Sequence, residues 1–195
     1  MTRKTVAVIV TFNRLDKLRH TLEATCANPF HAIVVVNNCS TDGTREWLDA
    51  YPDERVIPVH SKRNLGGAGG FHMGFEYAAD SLPEADWLVC FDDDAYPQPG
   101  AVEAFNALDI PADVGSLAGA VYLPSGRVSE RNRPSVNPFW HLKEFFTTAL
   151  KGRHGFHLAE DIFDRGETVD IDASSFVGCF VRLALIRERR IGLPR

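Results

Sequence analysis

Apolar residues in the first 110 positions follow two alternating patterns. Unbroken runs rich in Val and Ile occupy residues 5–11, 32–36 and 55–59, and a fourth apolar run spans 87–91. Such runs are the composition of strands buried on both faces. Between them, apolar residues recur at helical spacing, as with Leu15, Leu18, Leu22 and Cys26 within residues 14–27. Residues 44–50 predict a short helix entered through Ser40, Thr41 and Asp42, all good capping residues. Residues 70–81 and 101–108 predict two more helices. This alternation predicts an α/β fold with a doubly wound, mostly parallel sheet flanked by helices in a single domain. Ligands in such sheets bind beyond the carboxyl ends of the strands. The polar segments 11–14, 37–42, 63–70 and 92–94 each follow a predicted strand, so all four are expected on one rim.

The second half is less regular. Residues 114–123 and 169–182 read as strands, 124–127 as a turn and 183–190 as a short basic helix. Residues 132–157 are rich in Phe, Trp and His with weak periodicity, and read as an irregular, mobile or acceptor-side segment. The chain therefore divides into a regular half, 1–110, and a less regular one, 111–195.

Composition narrows the class. The 195 residues are 45% hydrophobic and 24% charged, as in an ordinary soluble domain, and the formal net charge is -5. An acidic balance argues against nucleic acid as the main partner. No apolar stretch approaches the length of about 18 residues that a membrane span needs. Cys26, Cys39, Cys90 and Cys179 lie far apart with no paired metal spacing, and Cys90 falls inside a predicted buried strand. A reduced, cytoplasmic setting is expected, with the inner face of the membrane as its variant.

The chemistry concentrates at residues 87–94, WLVCFDDD, where an apolar strand runs into three carboxylates. Adjacent acids repel one another and are best tolerated where a cation arrives. In an extended backbone Asp92 and Asp94 share one side and Asp93 takes the other. Hard oxygen ligands of this kind suit Mg²⁺ or Mn²⁺, which also binds substrate phosphates. The plain alternative is an acidic loop capping the next helix. A second signal is the segment 63–71, RNLGGAGGF, whose glycines before a helix let backbone N–H groups approach an anion. Its alternative is a tight turn requiring positive φ. The segment is not a dinucleotide fingerprint, because His72 stands at the third glycine position and the loop follows the third strand.

Together, VIVTFNR at 8–14, VVVNNCSTDGT at 34–44, NLGGAGG at 64–70 and FDDD at 91–94 resemble the family-two nucleotide-sugar glycosyltransferases of the GT-A, Rossmann-like fold. A later segment, 175–182 leading to 191–194, looks like that family's acceptor-side strand and helix. The triple Asp and doubled glycines look most like galactofuranosyl- and rhamnosyl-transferring members. The resemblance implies a nucleotide-sugar-binding half over 1–110 and an acceptor-side half over 111–195. It implies that Thr11, Phe12 and Arg14 line the base and ribose pocket, with Asn37 and Asn38 at the base or ribose. Many members have Asp where Asn37 stands. Arg63, Asn64 and Gly67 would lie against the diphosphate or sugar, with Asp92 and Asp93 also counted at the donor. Asp92 and Asp94 would be the metal pair, with Mg²⁺ or Mn²⁺ as cofactor. Asp42 reads as a helix cap.

The implied reaction moves a sugar, with inversion, from a UDP- or dTDP-linked donor to a hydroxyl of a glycan or lipid-linked acceptor. The family's general base lies a little beyond the segment matched by 192–194, so it is expected beyond Arg195 in a chain truncated there. Asp170 and Asp172 are weak alternatives, while Glu160 and Asp161 read as a helix-surface pair that joins them only if the base lies within 1–195. An incomplete module that binds the donor without transferring it is the rival reading. The basic run Arg182, Arg187, Arg189, Arg190 and Arg195 reads as a solvated helix face, with peripheral contact to anionic lipid as its alternative.

Overall fold

The computed structural model describes residues 2–193. The chain forms two compact units, one of residues 1–117 with 180–195 and one of residues 118–179.

The first unit alternates strand and helix through most of its length. Its strands and helices are β1 (Thr5–Thr11), α1 (Leu15–Cys26), β2 (Ala32–Asn37), α2 (Thr44–Asp49), β3 (Val56–His60), α3 (Gly66–Ser81), β4 (Trp87–Asp92) and α4 (Ala101–Ala107). A short β5 (Ser116–Ala118) follows, and β6 (Cys179–Arg182) and α7 (Leu183–Arg187) return to the unit near the end of the chain. The six strands run in the order β3-β2-β1-β4-β6-β5, and the pairs β1–β2, β1–β4 and β2–β3 are parallel. This is the expected mixed α/β fold with a mostly parallel sheet. Every residue of β1 and β2 is buried, which is why both read as continuous apolar runs. Register then aligns the strand ends: Thr11 pairs with Asn37, Val10 with Asp92, and Asn37 with His60. The polar residues that end these strands therefore meet at one edge.

Helix α3 lies close to the sheet because it lacks side chains where it touches. A Cβ on Gly74 would stand 2.5 Å from Val8 Cγ1 and 3.1 Å from Val36 Cγ2. Val8 and Val36 are fully buried in the sheet and have no room to yield. Overpacking of this kind typically costs about 1–3 kcal/mol, against the roughly 1 kcal/mol that alanine gains over glycine in a helix. Gly74→Ala is therefore expected to lower stability by about 1 kcal/mol despite the better helix former. A urea midpoint equal to or above wild type would show that the contact yields.

Two arginines of the expected basic run turn out to be structural. Arg187 donates to the carbonyls of Ala79, Leu82 and Ala85, fastening α7 to the end of α3. The Arg182 guanidinium lies 4.6 Å from the Trp87 ring centroid and donates to Val114 and Pro111 carbonyls. Neither is the solvated charge that composition suggests. Arg190 does pair with Glu188 at the surface, while Arg195 lies outside the described residues.

The second unit holds α5 (Leu142–Lys151), a 3₁₀ turn over Gly152–Gly155 and α6 (Glu160–Asp164). Residues 114–123 and 169–182, expected as strands, are strand only at Ser116–Ala118 and Cys179–Arg182. The expected turn at 124–127 is present, with Leu123 N–H donating to Arg127 and Gly126 at φ 81°. Residues 142–151, expected to be irregular, are helical. Leu142, Phe145, Phe146 and Leu150 share helical spacing yet remain exposed, so this helix is not one that core burial selects. Among the described residues, no helix is long and apolar enough to cross a membrane.

Candidate active site

The rim beyond β1, β2 and β4 is tied together by side chains from four segments. Asn13, at φ 52°, accepts from Thr41 N–H through Oδ1, and its own N–H donates to Ser40 Oγ. Asp42 reaches two helix starts at once. Its Oδ2 accepts from Leu15 N–H at 3.0 Å, and its Oδ1 accepts from the Thr44 hydroxyl at 2.6 Å. Partial burial opposes ionisation of Asp42, but the Thr44 and Leu15 bonds outweigh it and hold its pKa below the usual value. The capping role expected of Asp42 thus extends from α2 to α1.

Asn37 and Asn38, expected at the base or ribose, are both buried and employed inside the rim. Asn37 Oδ1 accepts from Ser40 N–H, and its amide nitrogen donates to His60 Nδ1 at 3.2 Å. Asn38 donates to Asn64 Oδ1 and Gly66 O, and its Oδ1 accepts from Leu65 N–H. Asn64 Oδ1 also accepts from Gly66 N–H. These bonds gather the start of α3, which begins at Gly66 rather than at Gly70. Gly66 has φ 70°, a conformation that disfavours any side chain. Gly67 differs, since a Cβ there would meet nothing within 4 Å. At Gly67 the first turn of α3 is therefore open on its outer side. Phe12 and Arg63 stand exposed on the same rim, while His72 pairs with Glu76 along α3.

Strand β4 ends at Asp92, and Asp93 and Asp94 lie in the turn that follows, so it is the turn and not strand alternation that separates the three acids. Asp93 turns inward and is 3% exposed. Its Oδ2 accepts from the buried Thr11 hydroxyl at 2.8 Å, its Oδ1 from Arg14 Nη1 at 3.1 Å, and its carbonyl from Thr21 Oγ1 at 2.8 Å. Expected at the donor, Asp93 spends both carboxylate oxygens inside the protein, locking β1 and α1 to the end of β4. Asp94 faces outward, and its Oδ2 accepts from both Arg14 and Lys17 at 3.1 Å. The Arg14 pKa is raised, first by its bond to Asp93, so its charge is secure. Asp92 is exposed, and its carboxylate has no hydrogen-bond or ion-pair partner among the described residues. Limited hydration and the charges of Asp94 and Asp93 push its pKa above the ordinary carboxylate value.

Lys17 and Thr21 belong to this cluster and were not expected from the sequence. With Arg14 they fall at helical spacing along one stripe of α1, a signal visible once the acids are known to lie against that helix.

The acids fit a hard divalent cation. Asp92 offers both oxygens and Asp94 one without a bond, and an added positive charge would relieve the repulsion felt by Asp92. Among the described residues no group of three or more His, Cys, Asp or Glu side chains converges, so any remaining ligands would be substrate oxygens or water. Two of the in-chain alternatives for a base are engaged by other groups. Asp172 accepts from Asn137 N–H and pairs with His141, and the Asn137 bond leads in lowering its pKa. Asp161 pairs with Arg165. The expected base beyond Arg195 lies outside the described residues.

A mostly parallel sheet with three acids at the end of its fourth strand and a glycine-rich helix start on the same rim defines an α/β protein of the doubly wound class. The chain belongs to glycosyl transferase family 2, whose model matches residues 6–162. It is 39% identical over 108 residues to a galactofuranosyltransferase of Mycobacterium tuberculosis, covering 53% of this chain and 34% of that protein. It is 31% identical over 134 residues to an undecaprenyl-phosphate mannosyltransferase of Micrococcus luteus, covering 64% and 51%. The aligned parts thus span about a third to a half of these relatives' lengths. Among solved structures, the fold matches a mannosyltransferase from Pyrobaculum calidifontis in complex with GDP-Man and Mn²⁺. That match has a TM-score of 0.52 and 23% identity, and covers 64% of this chain and 37% of that one. A glucosyl-3-phosphoglycerate synthase from Mycobacterium tuberculosis matches with a TM-score of 0.50 and 14% identity, covering 94% and 58%. These likenesses place the fold among GT-A glycosyltransferases.

Proposed function

We propose that this chain takes part in transfer of a sugar, with inversion, from a UDP- or dTDP-linked donor to a hydroxyl of a glycan or lipid-linked acceptor. The observation that carries the reading is the split of the three acids. Asp93 is consumed as an internal lock, while Asp92 and Asp94 are delivered outward to the substrate rim. The names of the relatives support a galactofuranosyl or other hexosyl donor and an acceptor of the lipid-phosphate or glycan class.

In this reading Asp92 and Asp94 hold Mg²⁺ or Mn²⁺, as the Mn²⁺ in the Pyrobaculum calidifontis structure encourages. A bound divalent cation supplies Lewis-acid stabilisation of the charge that develops on the leaving diphosphate. Phe12 lines the nucleotide, Thr11, expected beside it, is buried and holds Asp93 instead, and Asn37 and Asn38 shape the loop against which its base lies. Arg14 keeps Asp94 in place through its anchorage on Asp93. Arg63, Asn64 and the N–H groups of the first turn of α3 receive the diphosphate or sugar. The acceptor-side role falls to residues 111–195, with 1–110 binding the donor.

The alternative, a module that binds the donor without transferring it, draws on the engagement of Asp161 and Asp172 by other groups. Both readings are separated by incubating the chain with UDP-linked sugars and a polyprenyl-phosphate or glycan acceptor, with Mn²⁺ or EDTA. Glycosylated product in Mn²⁺ alone supports transfer, and donor binding without product supports the module. Gly67→Val tests the helix start. It should weaken UDP binding about tenfold, the cost of losing a hydrogen bond to a charged group, and leave the unfolding midpoint unchanged. Unaltered UDP affinity would remove the diphosphate from this turn.

A further inference from the structure

Arg14 and Lys17 meet the same oxygen of Asp94 but are anchored differently. Arg14 is also bonded to buried Asp93, so its position is set by the core of the rim. Lys17 is bonded only to Asp94, at 3.1 Å, and its side chain is 54% exposed. A lysine ammonium is a compact charge on a flexible stem, and an exposed pair of this kind is weakly held. Lys17 and Asp94 also line one groove, together with Asp16, His20, Thr21 and Tyr96, so the ammonium has room to leave. Meanwhile Asp92 has no counter-ion at all among the described residues. Of the two cations on Asp94, Arg14 is thus shared with Asp93 and fixed by it, while Lys17 is detachable.

We infer that Lys17 is a displaceable counter-ion of Asp94, which it holds until a divalent cation takes the carboxylate. The released ammonium is then free for the phosphate charge of the donor. The inference rests on the metal and donor reading above and makes Lys17 a positioning residue. Its consequence is coupling between sites: Lys17 opposes metal alone and favours metal together with nucleoside diphosphate.

The test is Mn²⁺ binding to the full chain, followed by the electron paramagnetic resonance of the free ion, without nucleotide. Lys17→Met should bind Mn²⁺ about two- to fivefold more tightly, the range expected from losing one exposed ion pair. Lys17→Arg should behave as wild type, and the gain should vanish on an Asp94→Asn background. With saturating Mn²⁺, Lys17→Met should bind UDP more weakly than wild type while Lys17→Arg does not. Mn²⁺ affinity unchanged or reduced in Lys17→Met, or a gain that persists without Asp94, would overturn the counter-ion role alone. Failure of every variant and of wild type to bind Mn²⁺, even with UDP, would overturn the metal reading as well.

Discussion

Asp93→Ala should lower folding stability by about 2–4 kcal/mol and weaken nucleotide binding with it. The carboxylate is almost fully buried and accepts from Thr11 and Arg14. Alanine leaves the buried Thr11 hydroxyl without its acceptor, a penalty of about 1–3 kcal/mol. It also breaks an ion pair. Arg14 is half exposed and can regain water, so the total stays below the full cost of stranding a buried charge. Released from Asp93, Arg14 no longer fixes Asp94, and the outward pair loses its alignment. Asp93→Asn should cost less, because an amide oxygen can still accept from one of the two donors. Urea unfolding of the three proteins measures the difference. An alanine variant within about 0.5 kcal/mol of wild type, the range of neutral surface changes, would show that Asp93 locks nothing.

That lock was only half legible in the sequence. Strand alternation predicts Asp93 opposite Asp92 and Asp94; Asp93 does turn inward, but from a turn after the strand has ended at Asp92. Its partner Thr21, and the Lys17 that pairs with Asp94, come from a helix more than 70 residues away, and nothing in an acidic run names the helix that will face it. The same division holds for the fold. Strands β1, β2 and β4 were readable nearly to the residue because both faces are buried, so composition alone defines them. Helix α3 starts four residues earlier than its pattern suggests. Four of its first five residues are glycine, and its start is gathered by Asn38 and Asn64 rather than by propensity. In residues 169–178, Val169 and Phe176 stay exposed, and Ala173 makes an isolated bridge to Ser135 rather than a ladder. Local sequence there has no buried face to report.

Asp92→Asn should move stability and function in opposite directions. At neutral pH the ionised Asp92 carboxylate stands against Asp94 and Asp93 with no partner, and its pKa is raised. An acid whose pKa is higher in the folded state stabilises the fold when protonated, and loses that contribution as pH rises through the raised value. Its charge is therefore a cost to the fold at neutral pH, and a neutral amide of the same shape should leave the protein at least as stable as wild type. Function should suffer instead. A metal ligand that offsets charge on a leaving diphosphate is worth several kcal/mol, and each 1.4 kcal/mol is about tenfold. Mn²⁺-dependent transfer should thus fall by roughly 10²-fold or more, and Mn²⁺-dependent UDP binding should weaken. Asp94→Asn should lose transfer to a similar extent, with a stability change under about 1 kcal/mol, because its partners Arg14 and Lys17 are exposed. Calorimetric titration of UDP with and without Mn²⁺, alongside urea unfolding, reads both effects in one set of samples. An acid retained against its own electrostatic cost is what a site awaiting a cation would show, and the metal proposed above would meet that requirement. An Asp92→Asn protein that is less stable than wild type and binds UDP with Mn²⁺ equally well would make the outward acid structural, and the metal would have to be sought elsewhere.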